Sequence, residues 1–266
     1  MSAWPSTTAS TTGRNRAHSC RGSSPAWSPW DLTPLSTNPL PVPANNPCQI
    51  VRLGAVEYQH AWDLQVDLAT KVHDCTQPNT LLLLEHPPVY TKGRLSKPDD
   101  ILLSDGELRQ MGIGVHEVDR GGQVTFHGPG QLVAYPVIDL REWGGPVKYV
   151  RTLERIIIDS LADFKITAET IDGITGVWVN GAKIAAIGVK ISRGIAYHGF
   201  AINVTTDLSY YSHIVPCGIS DRPVTSMAEV MGEDVDMAMA QYSLAYQFGK
   251  GMGFGMVEAE LELIQI

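Results

Sequence analysis

The sequence is poor in the patterns that announce common chemistries. It has no C-x-x-C pair: Cys20, Cys48, Cys75 and Cys217 are scattered along the 266 residues. That argues against a zinc ribbon and against a disulfide-stapled secreted domain, and it predicts free thiols in a reducing cytosol. No metal site is expected. There is no G-x-x-x-x-G-K-[ST] loop and no G-x-G-x-x-G after a strand, so a nucleotide-phosphate cradle is missing. No apolar run approaches the roughly 18 residues that span a bilayer, so no membrane association is expected. Basic residues are few. Lys and Arg number 20 against 28 Asp and Glu, a net charge of -8, so the global basic footprint of a nucleic-acid binder is lacking.

The first 46 residues differ from the rest. Ser, Thr and Pro supply 21 of them, and Asp31 is the only acid. Such a stretch buries too little apolar surface to offset its ordering entropy. It reads as a disordered tail. Arg14, Arg16 and Arg21 in an acid-poor setting loosely suit an organelle transit peptide, but a dispensable extension, or a start codon placed too early, is the favoured reading. Residues 47–266 then form one domain, long enough for a sizeable core.

Within that domain strands outnumber helices. Residues 50–53, 81–85, 115–118, 132–138, 166–171, 177–179, 184–191 and 197–204 read as strands. Helices are expected at 58–72, from Pro146 onward, and at 236–248. Pro146 suits a first helical turn, and Val150, Leu153, Ile157 and Leu161 share one face. Asn180-Gly181 between two apolar runs signals a hairpin. Several strands follow one another through short turns. The expectation is an α+β fold with a mixed β-sheet packed with helices, not an alternating doubly wound one. Trp62 and Trp178 are read as core residues.

Three segments carry candidate chemistry. Residues 120–136 place His127 and Arg120 among four glycines. Glycine lets the backbone approach a ligand, so the segment is either a pocket wall or a plain hairpin with a satisfied histidine. Lys183 follows the Asn180-Gly181 turn amid small and apolar residues. It is either a strand-end lysine with its head in water or a half-buried amine usable as a base. Cys217, between Pro216 and Gly218, sits on a loop. A free thiol titrates near 8.5, and a neighbouring ammonium lowers that value. The thiolate can then hold an acyl group as a thioester, with backbone N–H groups stabilising the oxyanion. The sequence alone does not show that Lys183 and Cys217 meet.

These residues resemble a known family. The stretch Leu82-Leu83-Leu84-Glu85-His86-Pro87-Pro88-Val89-Tyr90-Thr91, the 120–136 segment, Ala182-Lys183-Ile184-Ala185 and Pro216-Cys217-Gly218-Ile219 are similar to the octanoyl-[acyl-carrier-protein]:protein octanoyltransferases, also called lipoyl(octanoyl) transferases. The resemblance runs from about residue 50 to about 250. Phe126 stands where the family commonly has tyrosine, and Ala186 where serine is frequent.

The resemblance implies a fold like that of the biotin and lipoate protein ligases and an acyl transfer in the cytoplasm. Octanoyl-acyl carrier protein would load Cys217, with Lys183 lowering the thiol's pKa and relaying protons. The acyl group would pass to a lysine of apo lipoyl domains, those of 2-oxoacid dehydrogenase complexes and the glycine cleavage H protein. The implied acyl pocket is Arg120, Gly121, Gly122, Gln123, Val124, Thr125, Phe126 and His127, with Ala186, Ile187 and Gly188, and Gly199, Phe200 and Ala201. His127 and His198 are further candidate bases. No cofactor is implied. Lys190, Arg193, Lys92 and Arg94 are candidates for a basic rim that would meet an acidic carrier protein. Two rivals remain: an ATP-dependent lipoate or biotin ligase, and a non-catalytic module that binds lipoyl domains.

Overall fold

A computed structural model describes residues 46–215 and 222–260. The chain divides into two units, 1–37 and 38–266, and the description concerns the second. The expectations for the tail and for Cys217 fall outside the described residues.

Eight strands form one sheet. In chain order they are β1 (Pro47–Ala55), β2 (Asn79–Glu85), β6 (Gln131–Asp139), β7 (Glu169–Ile171), β8 (Ile174–Val179), β9 (Ala182–Ser192), β10 (Ile195–Asn203) and β11 (Gly255–Glu258). Their spatial order is β11-β1-β2-β6-β10-β9-β8-β7. β1 pairs parallel with β2 and β11, and the other pairs are antiparallel. A second sheet, β4-β3-β5, joins β3 (Val89–Lys92), β4 (Gly114–Glu117) and β5 (Val124–His127). The sheets are mixed and packed with helices, so the fold is α+β as expected.

The run Leu81-Leu82-Leu83-Leu84 is continuous in sequence because both faces of β2 are covered. Leu82 and Leu84 pack with Ala61, Leu64 and Leu68 of helix α1 (Tyr58–His73). Leu81 and Leu83 face the other layer, where Leu153 and Ile157 of α3 (Pro146–Ala162) meet Leu244 and Phe248 of α5 (Met237–Met252). Pro146 occupies the first turn of α3, as its missing N–H allows. Asp236 caps α5 by accepting from the Ala238 N–H at 2.8 Å.

The Asn180-Gly181 hairpin forms as expected. Both residues have positive φ, 50° and 81°, which is the type I′ requirement. The turn leaves Val179 opposite Ala182 and Trp178 opposite Lys183. Three expectations needed adjustment. The strand at 166–171 is shorter, only Glu169–Ile171. The last helix runs on to Met252, where Gly253 ends it at φ 71°. Cys75 is disulfide-bonded rather than a free thiol; it lies exposed just past the end of α1, where sulfur is reachable. Cys48 is the buried, unreactive hydrophobe its neighbours suggest.

Candidate active site

The small sheet stands over β9 and β10 of the large one, and a cleft lies along their junction. One wall is the 120–125 segment with His127. The other is Ala186-Ile187-Gly188 of β9 and residues 198–201 of β10. The Gly121 N–H donates to the Val189 carbonyl at 3.0 Å and fastens the first wall to β9. Gly188 permits this close approach. A Cβ there would stand 3.0 Å from both Arg120 Cδ and the Gly121 oxygen.

All of the expected pocket residues line this cleft except Gly121 and Phe126. Gly121 acts through its backbone, as just described. Phe126 turns the other way because side chains alternate along a strand. It stacks on Tyr210 with ring centroids 4.6 Å apart and lies in a satellite core with Tyr90 and Tyr211. Tyr58, Tyr135 and His198 complete the lining. Tyr58 has the spacing of a helix core residue, and Tyr135 that of a buried strand residue. Neither carries a sequence signal for a pocket.

His127 and Tyr135 of the lining, with His86 behind Tyr135, are rings whose protons can be placed. His86 Nδ1 is 2.6 Å from the Val56 carbonyl, which only accepts, so Nδ1 carries the proton. Nε2 then accepts from the Tyr135 hydroxyl at 2.8 Å. The Gln131 amide nitrogen donates to the Phe126 carbonyl at 3.1 Å. Its oxygen therefore accepts from His127 Nδ1, at 2.7 Å. His127 Nε2 is left with a lone pair. Burial pushes the pKa of His86 down to about 4 and that of His127 down to about 3. Both are neutral near pH 7, and neither is a strong base.

His198 sits at the end of the same wall. Its φ is 54°, and its N–H is held by Gln65 Oε1 at 2.8 Å. Its Nε2 donates to Asp119 Oδ1 at 2.8 Å. Burial lowers the His198 pKa, against the opposing pull of Asp119. For Asp119 burial acts upward, but hydrogen bonds from Lys190 and His198 outweigh it and hold the carboxyl below its usual range. Lys190 is thus engaged by Asp119, and Lys92 by Glu117 at 3.0 Å. Two of the four residues expected to form a basic rim are therefore neutralised by carboxylates.

Lys183 lines a second cavity with Thr125, Ala185, Ala186, Asn203, Tyr211 and Val224. Thr125 and Ala186 also line the first, so the two cavities adjoin. Lys183 is 8% exposed, so its side chain is buried and does not stand at a strand end with its head in water. Its N–H donates to Pro223 O at 2.9 Å, and its carbonyl accepts from Thr225 N–H at 3.0 Å. The chain that returns after residue 221 is thereby laid beside β9 at Lys183. Asn203 Nδ2 holds the same chain through the Thr225 carbonyl at 3.0 Å. Gln131 joins the two cavities: the second proton of its amide nitrogen goes to Asn203 Oδ1 at 3.0 Å, and Tyr211 Oη lies 3.1 Å from the same nitrogen. Cys217 lies outside the described residues. Among the described residues no cluster of His, Cys, Asp and Glu could hold a metal ion.

Residues 57–249 match the family described as the lipoyl protein ligase A/B catalytic domain. The chain belongs to this family. The octanoyltransferase of Acidobacterium capsulatum is 49% identical over 77% of this chain and 89% of its own length. That of Solibacter usitatus is 51% identical over 68% of this chain and 82% of its own. Among solved structures, P. falciparum LipL1 in complex with lipoate has a TM-score of 0.66 at 13% identity, covering 81% of this chain and 66% of its own. Lipoate-protein ligase A bound with ATP has a TM-score of 0.63 at 15% identity, covering 81% and 89%. These two likenesses establish the shared fold of the family. No helix among the described residues is long and apolar enough to cross a membrane.

Proposed function

We propose that this acyltransferase moves an octanoyl group from octanoyl-acyl carrier protein to a lysine of an apo lipoyl domain, through a thioester on Cys217. Octanoyl transfer is the activity for which its half-identical relatives are named. The acceptors are the lipoyl domains of 2-oxoacid dehydrogenase complexes and the glycine cleavage H protein, and the setting is the cytoplasm.

One observation carries the reading. The Lys183 amine occupies a cavity that opens on the apolar cleft through Thr125 and Ala186. The described chain reaches that cavity on both sides of residues 216–221: Tyr211 and Val224 line it, and Val224 bridges to Lys183. Cys217 is six residues from Tyr211 and seven from Val224 along the chain.

The chemistry follows from that arrangement. The Lys183 ammonium favours the thiolate of Cys217. The thiolate attacks the octanoyl thioester, and the carrier's thiol leaves with a proton from Lys183. The neutral amine then takes the proton of the incoming lysine as that lysine displaces Cys217. A thioester becomes an amide, so no ATP is needed. Val124, Ala186, Ile187, Phe200 and Ala201 supply the apolar walls for the chain. His127 is neutral and adds no charge to these walls; the guanidinium of Arg120, which also lines the cleft, donates to Thr91 O and Oγ1.

Incubation of the full chain with octanoyl-acyl carrier protein, without ATP, should add one octanoyl mass to the intact protein. Cys217→Ser should abolish the adduct. An adduct or product formed only from free octanoate and ATP would support a ligase instead. Lipoyl-domain binding with no transfer at all would support a binding module.

A further inference from the structure

We propose that His198 is the end stop of the acyl cleft, matching its length to an octanoyl chain and shutting out longer ones, and that Asp119 is the positioning residue that holds the ring there. The inference deepens the transfer reading, on which it rests for the direction in which the chain lies.

β10 breaks its pairing where the stop is made. Ala196 pairs with Ile138 and Phe200 with Ala134, but Tyr197 to Gly199 do not pair with β6. Pro136 lies midway across that gap and has no N–H to give a ladder. The His198 N–H donates instead to Gln65 Oε1 at 2.8 Å. Gln65 is fully buried on α1, and its nitrogen donates to the Ala61 carbonyl at 3.0 Å, so its oxygen is the atom left for His198. His198 takes φ 54°, the left-handed region that a side chain disfavours. Strict alternation would set its ring on the face of Ala196 and Phe200. Instead the ring stacks on Tyr197, centroids 5.3 Å apart, and lies 5.9 Å from the Trp62 ring of α1. The strained backbone thus turns an imidazole to the side of the sheet that holds the cleft, which it lines.

Three links close the cleft at this level. The Gly121 N–H bonds the Val189 carbonyl, Lys190 pairs with Asp119, and His198 Nε2 donates to Asp119 Oδ1 at 2.8 Å. The first wall is thereby joined to β9 and β10 just past Gly188 and Gly199, which face each other in register. Among the described residues His198 Nδ1 has no hydrogen-bond partner, so the bond to Asp119 sets the tilt of the ring. His198 is 1% exposed. A carrier protein cannot follow its acyl chain through an end closed in this way. The methyl end therefore goes in first and points at His198.

The spacing fits one chain length. Ala186 marks the other end, where the cleft adjoins the Lys183 cavity. Val189, which pairs with His198, is three strand residues further on, about 10 Å at the usual rise. An extended octanoyl chain advances about 1.25 Å per C–C bond and spans about 9 Å. Octanoyl fills the distance, and further methylenes would press on a ring that is fixed from three sides. A histidine that only braced the sheet would, when replaced, slow every chain length alike.

The test is transfer by the full chain from octanoyl-, decanoyl- and dodecanoyl-acyl carrier protein to an apo lipoyl domain, read as the mass of that domain. His198→Gly removes the ring, and the left-handed φ suits it. The ratio of decanoyl to octanoyl kcat/KM should rise about tenfold over the wild type. His198→Asn also tolerates this φ and is shorter than histidine, so it should give a smaller rise and decides the matter if His198→Gly fails to fold. Asp119→Ala keeps the ring but releases it, and should raise the ratio about threefold. A ratio unchanged in a folded His198 variant overturns the end stop, and one unchanged in Asp119→Ala alone removes Asp119 from it. Calorimetric binding of octanoate, decanoate and dodecanoate separates the two readings. A wild type that transfers nothing, yet prefers octanoate to dodecanoate and loses that preference in His198→Gly, sinks the transfer reading and keeps the end stop. A wild type that transfers nothing and binds the three acids alike, or not at all, overturns both.

Discussion

Gln131 and His127 share a 2.7 Å hydrogen bond whose direction is fixed from outside the pair. Gln131 can donate to the Phe126 carbonyl only through its nitrogen, so its oxygen is the acceptor and His127 Nδ1 keeps its proton. The bond fixes where the ring's proton sits, and burial keeps this ring and its neighbour His86 neutral.

Neutral burial of these two rings makes stability depend on pH. Their pKa values fall to about 3 and about 4, against roughly 6.5 unfolded. Below pH 6.5 the unfolded chain binds protons that the folded chain refuses, so stability is full above 6.5 and is lost as the pH falls. At pH 5 each ring costs about 2 kcal/mol. Urea unfolding at pH 7 and pH 5 should show the loss, and His86→Gln should remove about half of it. An unchanged difference in that variant would mean that the ring already carries a proton in the folded state.

Gln131 itself is fully buried: its oxygen accepts from His127, and its nitrogen donates to the Phe126 carbonyl and Asn203 Oδ1. Gln131→Leu has a similar volume but leaves His127 Nδ1, the Phe126 carbonyl and the Asn203 side chain short of partners. The expected loss is about 3 kcal/mol, read as a lower urea midpoint with an unchanged slope. Octanoyl transfer should fall as well, since Asn203 holds the Thr225 carbonyl beside Lys183.

The large sheet was legible because its signals are local. The apolar run 81–84, the Asn180-Gly181 turn and Pro146 each act within a few residues. The small sheet was harder to read. β3 and β5 have four residues each, and α2 (Asp105–Gln110) and α4 (Met227–Met231) are barely longer; such elements are held by tertiary contacts, not by period. β11 exists because it pairs parallel with β1, some 200 residues earlier, a pairing no local pattern can announce. The pocket segments were found by motif, but Tyr58 and Tyr135 became its lining only when α1 and β6 packed behind it. Trp178 reads as core from its neighbours, and it is buried. Its contact with Lys183 follows from register, which the turn sets but which composition does not reveal.

Gly199 illustrates a residue in the pocket set with a structural duty. A Cβ there would fall 2.1 Å from the Ala134 oxygen and 2.6 Å from Pro136 Cδ. β6 and β10 would have to separate where they pair. Gly199→Ala should lower stability by about 3 kcal/mol, visible as a fall in the thermal midpoint, with transfer lost in proportion to folded protein. A variant of normal stability and lost transfer would instead assign Gly199 a direct role at the acyl chain.

Gly188 should behave differently, because what it meets is the wall of the cleft. Its added methyl would press on Arg120 Cδ and the Gly121 oxygen at 3.0 Å and on Arg120 Nη1 at 3.4 Å. Arg120 is anchored through Thr91 O at 2.7 Å and Thr91 Oγ1 at 2.8 Å, so the wall yields little and the methyl enters the space beside it. Strand rise puts Gly188 about 7 Å beyond Ala186, away from Lys183. The methyl therefore narrows the part of the cleft that would take the far end of an octanoyl chain. Gly188→Ala should slow octanoyl loading of Cys217 about tenfold while hexanoyl loading changes by no more than about twofold, a difference of about 1 kcal/mol set by the apolar contact a longer chain forfeits. Competition between hexanoyl- and octanoyl-acyl carrier protein, read by intact mass, measures the ratio. A ratio equal to that of the wild type would mean that the chain does not run past Gly188.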